Sequence, residues 1–153
     1  MSIFKSRKIK ECSLDDCLNS LKNNLKRLAS TYEEQNKNIE DFARWNLPDD
    51  IASDWENYEY FVDRLLAEKA ISNQTAELFH KIVNNFISAY PKITLAEWNK
   101  TCVEFGLDKV DEVPNEAIRG QSYDEAIWTH EGLKTHLFWK EQRELAKQIL
   151  SNL

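Results

Sequence analysis

Hydrophobic residues recur three and four positions apart along most of this chain, which is the spacing of one face of an α-helix. Leu14, Cys17 or Leu18, Leu21, Leu25, Leu28 and Tyr32 form the first stripe, opened by a Ser-x-x-Asp cap at Ser13 and Asp16. This predicts a helix over 13–31. A second, shorter helix is expected over 33–46, with Ile39, Phe42, Ala43 and Trp45 as its apolar members. Pro48 ends it and starts the next, because proline fits only the first turn of a helix. From Asp49 to Ala70 the stripe Ile51, Trp55, Tyr58, Val62, Leu65 and Leu66 predicts one continuous third helix. Ser72 or Asn73 caps a fourth, which carries Ala76, Phe79, Ile82, Val83, Phe86, Ile87 and Tyr90 on one face and stops at Pro91. Thr94 and Glu97 box the start of a fifth helix, ahead of Trp98, Cys102 and Phe105, with Gly106 as its terminator. Residues 107–121, with Pro114 and Gly120, read as a loop. Ser122 and Glu125 make another capping box, ahead of Tyr123, Ala126, Ile127 and His130, and Gly132 interrupts or bends the pattern. A last helix is expected over 131–151, with Phe138, Trp139, Gln142, Leu145, Ala146, Ile149 and Leu150 inward and Lys140, Glu141, Glu144 and Lys147 opposite.

Six or seven helices joined by short loops make an all-α bundle or irregular helical array. The chain has 153 residues, a length that one hydrophobic core can serve, so residues 13–153 are expected to form a single acidic domain. Only three Gly and three Pro are present, too few turn residues for many short strands. Cys12, Cys17 and Cys102 are an odd number without a short paired spacing, which suits free thiols in a reducing cytoplasm. No apolar run follows the basic residues Lys5, Arg7, Lys8 and Lys10, so residues 1–12 read as a mobile basic terminus and not as a secretory signal. No stretch approaches the roughly 18 apolar residues of a membrane span.

Charge changes the picture more than composition does. The chain holds 20 Lys and Arg against 26 Asp and Glu, a formal charge of −6, which argues against general binding of nucleic acid or of an anionic membrane. Between Glu33 and Asp63 there are ten acidic residues against Lys37 and Arg44, a net of −8 in 31 residues. A second cluster, Glu104 to Glu131, holds eight acids against Lys109 and Arg119. On the wheel of the third helix, Tyr60 falls almost opposite Trp55 and Tyr58, flanked by Asp49, Glu56 and Asp63, with Glu59 at the edge. An aromatic ring standing outside among carboxylates is a binding-face pattern: tyrosine anchors interfaces, and clustered acids steer a basic partner.

Candidate chemistry is sparse. Glu77 and His80 have the Glu-x-x-His spacing of di-iron bundles, but the motif occurs once, without the second copy and further glutamates such a site needs, and the wheel puts both toward solvent. His130 and His136 stand six apart, where the zinc-binding helix pattern needs four. Glycines at 106, 120 and 132 build no phosphate loop. The tryptophans sit mostly on apolar stripes and read as core. No catalytic residue, cofactor or metal is expected.

An acidic helical chain of this size without a catalytic set resembles, in general character, the immunity proteins and antitoxins with which bacteria neutralise their own nuclease toxins. The resemblance implies a cytoplasmic, non-enzymatic protein that occupies the positive cleft of a basic nuclease-type toxin, mimicking nucleic acid without binding it. The contact surface expected is Glu40 to Asp63, with Asp49, Asp54, Glu56, Glu59, Tyr60 and Asp63 as partner-binding residues. Two alternatives belong to other classes: a metal- or small-molecule-dependent enzyme or sensor assembled from His80, His130 and His136, and a structural subunit that self-associates through Trp139, Ala146 and Leu150.

Overall fold

The computed structural model describes residues 13–56, 58–114 and 118–153; the basic segment 1–12 and Cys12 lie outside the described residues. Among the described residues all regular structure is helical. By their contacts the described residues fall into two compact units, one built from those between 13 and 83 together with Glu125–Leu153, the other from those of Asn84–Asp124.

In the first unit, α1 (Leu14–Ala29) begins where the sequence places it: Ser13 Oγ accepts the Asp16 amide at 3.1 Å, satisfying one of the unpaired N–H groups of the first turn. Its stripe of Cys17, Leu21, Leu25 and Leu28 is buried, and each leucine so covered stabilises the fold by about 2 kcal/mol. This face packs against α9 (Leu137–Leu150) and α5 (Tyr58–Ala67). On α9 the buried positions are Trp139, Gln142, Leu145, Ala146 and Ile149, the stripe expected, while Lys140, Glu141, Glu144 and Lys147 face out. Arg143 of α9 gathers loose ends, donating to the carbonyls of Ser30 and Leu133 and to the side chain of the buried Gln35.

Three expected helices are broken. The second becomes α2 (Tyr32–Lys37) and α3 (Asp41–Arg44), separated at Asn38, the cap residue of α2. The third becomes α4 (Leu47–Ser53) and α5. Asp54, Trp55 and Glu56 bond three residues back, and Asn24 donates to the Asp54 carbonyl at 3.0 Å, taking the acceptor that a continuing helix would offer to residue 58. The last becomes α8 (His130–Thr135) and α9, and the break falls at His136, whose Nδ1 caps α9 by accepting the Phe138 amide. Gly132 is continuous with α8. A Cβ there would lie 1.7 Å from the Ala126 carbonyl oxygen, so glycine serves the close approach of the 3-10 turn Glu125–Trp128 to α8. The Ser122 capping box does not form. Ser122 pairs with Ser88, through its amide to the Ser88 carbonyl and through the two hydroxyls.

The second unit comprises the end of α6 (Asn73–Ala89), α7 (Leu95–Glu104) and the chain beyond, with Phe86, Ile87, Trp98, Cys102 and Val113 buried. Thr94 caps α7, and Gly106, at φ +71°, ends it: Leu107 and Gly106 donate to the carbonyls of Cys102 and Val103, the paired bonds of a Schellman motif. Cys17 and Cys102 are buried free thiols.

Candidate interaction surface

The acidic stretch of the first unit is built on α2 to α5, and the structure divides its carboxylates into those spent on the fold and those left outside. Asp54 is spent. Arg27 of α1 donates through Nη1 to both Asp54 carboxylate oxygens, at 3.0 and 3.1 Å, and through Nη2 to Asp50 at 2.6 Å. One cation serves two acids, and Asp50 holds the shorter bond. Burial therefore raises the Asp54 carboxyl above its ordinary value more than Arg27 lowers it. Burial also pulls the guanidinium down, but its two carboxylates together reverse that and hold it above its ordinary value.

Asp49 is half-buried and accepts from Asn46 Nδ2 at 3.1 Å. Glu56 is exposed, and partial burial of its carboxyl, with Asp49 adding its negative charge, pushes it up; Asp49 and Glu56 thus share one field. Glu59 and Asp63 are exposed on α5 and act together on Tyr58. Tyr60 does not stand free among them: it is half-buried, its ring edge-on to Phe61 at 6.1 Å.

Within this acidic stretch the outward aromatics are two others. Phe42 is 80% exposed and Trp45 79% exposed, although both are apolar members of the helix expected over 33–46. The reason is the break at Asn38. Once α2 ends there, α3 is a separate four-residue helix with no buried residue, and its phase is no longer tied to that of α2. The sequence held one usable sign, the asparagines at 36 and 38, poor helix formers with few apolar residues around them.

The histidines are all engaged singly. His80 is half-buried, not outward, with Nδ1 2.9 Å from Tyr58 Oη; His130 lies between Tyr32 Oη and the Arg44 carbonyl; His136 caps α9. Among the described residues no three His, Cys, Asp or Glu side chains gather as metal ligands. An open cleft of about 420 Å³ lies where α5 turns into α6, lined by Lys69, Ser72, Thr75 and Asn152 among others, and none of the expected partner-binding residues reaches it. Of the three residues named for self-association, Trp139 and Ala146 are fully buried and Leu150 is half-buried. Among the described residues no helix is long and apolar enough to cross a membrane. No family model, curated protein or solved structure matches the chain.

Proposed function

We propose that this protein is an acidic binding module that neutralises a basic protein, of the nuclease-toxin kind, by covering its positive cleft. The observation that carries the reading is the pair Phe42 and Trp45, each about four-fifths exposed inside a stretch of net charge −8. Large exposed aromatics are costly to leave in water, and aromatic anchors surrounded by charge are the usual centres of protein interfaces. Asp49, Glu56, Glu59 and Asp63 supply the field that draws a cationic partner, with Tyr60 at its margin. Asp54 leaves the set of partner-binding residues, because its carboxylate is held by Arg27.

The test is capture from the source organism's lysate at low salt, with the retained protein identified and its nuclease activity assayed with and without this chain. The expected result is one basic protein, inhibited at equal stoichiometry and released by salt. Replacing Glu56, Glu59 and Asp63 together by Lys leaves helix content unchanged and weakens capture at least about tenfold. A triple variant that captures and inhibits like wild type overturns the surface.

A further inference from the structure

Hydrophobic burial does not hold α3 in place, since none of its four residues is buried, and so short a helix is unstable by itself. Polar tethers hold it. The Arg44 guanidinium donates through Nε to the Asn36 carbonyl at 3.0 Å and through Nη2 to the Ile39 carbonyl at 3.1 Å. It also pairs with Asp41 through Nη1, which closes the preceding turn onto the end of the helix. From a distant part of the sequence, His130 Nε2 meets the Arg44 carbonyl at 2.6 Å. A carbonyl only accepts, so Nε2 carries a proton. On the neutral ring, Nδ1 then accepts from Tyr32 Oη at 2.7 Å. The ring lies edge-on to Tyr32, with centroids 5.8 Å apart, and is fixed in one tautomer between α2 and α3.

These tethers order a segment that adds nothing to the core. What they fix is the direction of Phe42 and Trp45. We infer that α3 is a preformed recognition element, positioned by Arg44 and His130, that receives a cationic segment of a partner protein carrying an apolar side chain. This rests on the reading above and adds both the device that positions the anchors and the chemistry of the segment. The occupant follows from charge. Glu40, Asp41 and Asp49 flank the aromatic pair in sequence, and the one cation among residues 40–50, Arg44, is taken up by Asp41. A lysine or arginine stem can lie on the Trp45 ring with its head toward carboxylate. A second copy of this chain, at −6, brings like charge to like.

The experiment titrates the whole protein with a synthetic amphipathic Leu/Lys peptide and reads tryptophan emission. Trp55, Trp98 and Trp139 are buried and Trp128 is half-buried, so Trp45 is the most exposed of the five reporters, and the shift is expected to be lost in Trp45→Phe. Wild type is expected to shift to the blue and saturate, and a Leu/Glu peptide of the same pattern to do nothing. Phe42→Ala weakens the binding. Arg44→Met weakens it about tenfold, by the cost of ordering two freed side chains on binding, although it makes the surface one charge more acidic, which alone would tighten it. His130→Ala behaves like Arg44→Met, while His130→Gln, whose amide still donates to the Arg44 carbonyl, binds like wild type. Because no residue of α3 belongs to the buried core, Arg44→Met leaves the core intact and keeps the test valid if His130→Ala does not fold.

If Phe42→Ala weakens binding but Arg44→Met binds like wild type, as does a folded His130→Ala, or if His130→Gln weakens binding as much as His130→Ala, the positioning inference is overturned and the surface stands. If wild-type emission does not move, or Phe42→Ala binds normally, the surface itself falls. A concentration-dependent dimer lost in Trp45→Ala overturns the cationic occupant in favour of a second copy.

Discussion

Tyr58 is a phenol whose chemistry is set by where its ring lies. It is buried on α5, edge-on to His80 with centroids 5.5 Å apart. Burial, with Glu59 and Asp63 adding negative potential, pushes its pKa up to about 12. The phenol therefore keeps its proton, with Oη 2.9 Å from His80 Nδ1. An unfolded tyrosine ionises near about 10. A group whose folded value is the higher one contributes its stability in full below the unfolded value, and that contribution is lost as pH rises through the window from about 10 to about 12. Wild type is expected to lose about 2 kcal/mol more than Tyr58→Phe across that window, measured as urea midpoints at both ends. Equal losses would show that this phenol is not responsible. The inward placement of Tyr58 was legible in the stripe Trp55, Tyr58, Val62. Its partner was not: a helical wheel assigns His80 a direction but does not show that a tyrosine of another helix reaches into its half-buried position.

At the scale of elements, periodicity identified which segments are helical but not where they stop. Ile51, Trp55, Tyr58 and Val62 keep one apolar stripe through the break between α4 and α5, so the pattern carries no trace of it. The break is made by α1, whose Asn24 takes the Asp54 carbonyl and whose Arg27 takes the side chains of Asp50 and Asp54. A cap or a proline is written locally and was legible, as at Ser13, Pro48, Thr94 and Gly106; a helix end made by side chains some 30 residues away is not. The clamp has a testable asymmetry. Arg27→Met leaves two partly buried carboxylates without their cation and is expected to cost about 2 kcal/mol. Asp54→Asn keeps an acceptor for Arg27, which remains paired with Asp50, and removes a carboxylate whose pKa the fold raises. It is expected to cost under about 1 kcal/mol at neutral pH. The sign follows from that raised value: Asp54 favours the folded state most when protonated, so its contribution falls as pH rises from the acid side. Chemical denaturation of both variants decides it, and equal costs would mean that Asp54 gains more from the ion pair than burial takes away.

For the whole molecule, the distribution of charge was legible in the sequence and the placement of the anchors was not. The ten acids from Glu33 to Asp63 could be counted without coordinates, whereas Phe42 and Trp45 were hidden by an apolar spacing that the break at Asn38 makes meaningless. Charge and rings act at different moments of an encounter. Unscreened carboxylates act over roughly 10 Å and draw a basic partner in before contact, so they govern association. Buried aromatic contacts form only once the surfaces meet, so they govern dissociation. With the captured basic partner on a sensor surface, the Glu56, Glu59, Asp63→Lys variant is expected to associate at least about tenfold more slowly in low salt, well beyond any change in its dissociation rate. Phe42→Ser with Trp45→Ser is expected to do the reverse, raising dissociation at least about tenfold with association nearly unchanged. Raising salt from about 0.05 M to about 0.5 M should bring wild-type association down toward that of the charge variant, because the Debye length then falls to a few ångströms. If the double serine variant slows association and leaves dissociation alone, the rings are not anchors at the centre of the contact, and the carboxylates alone would have to account for the binding.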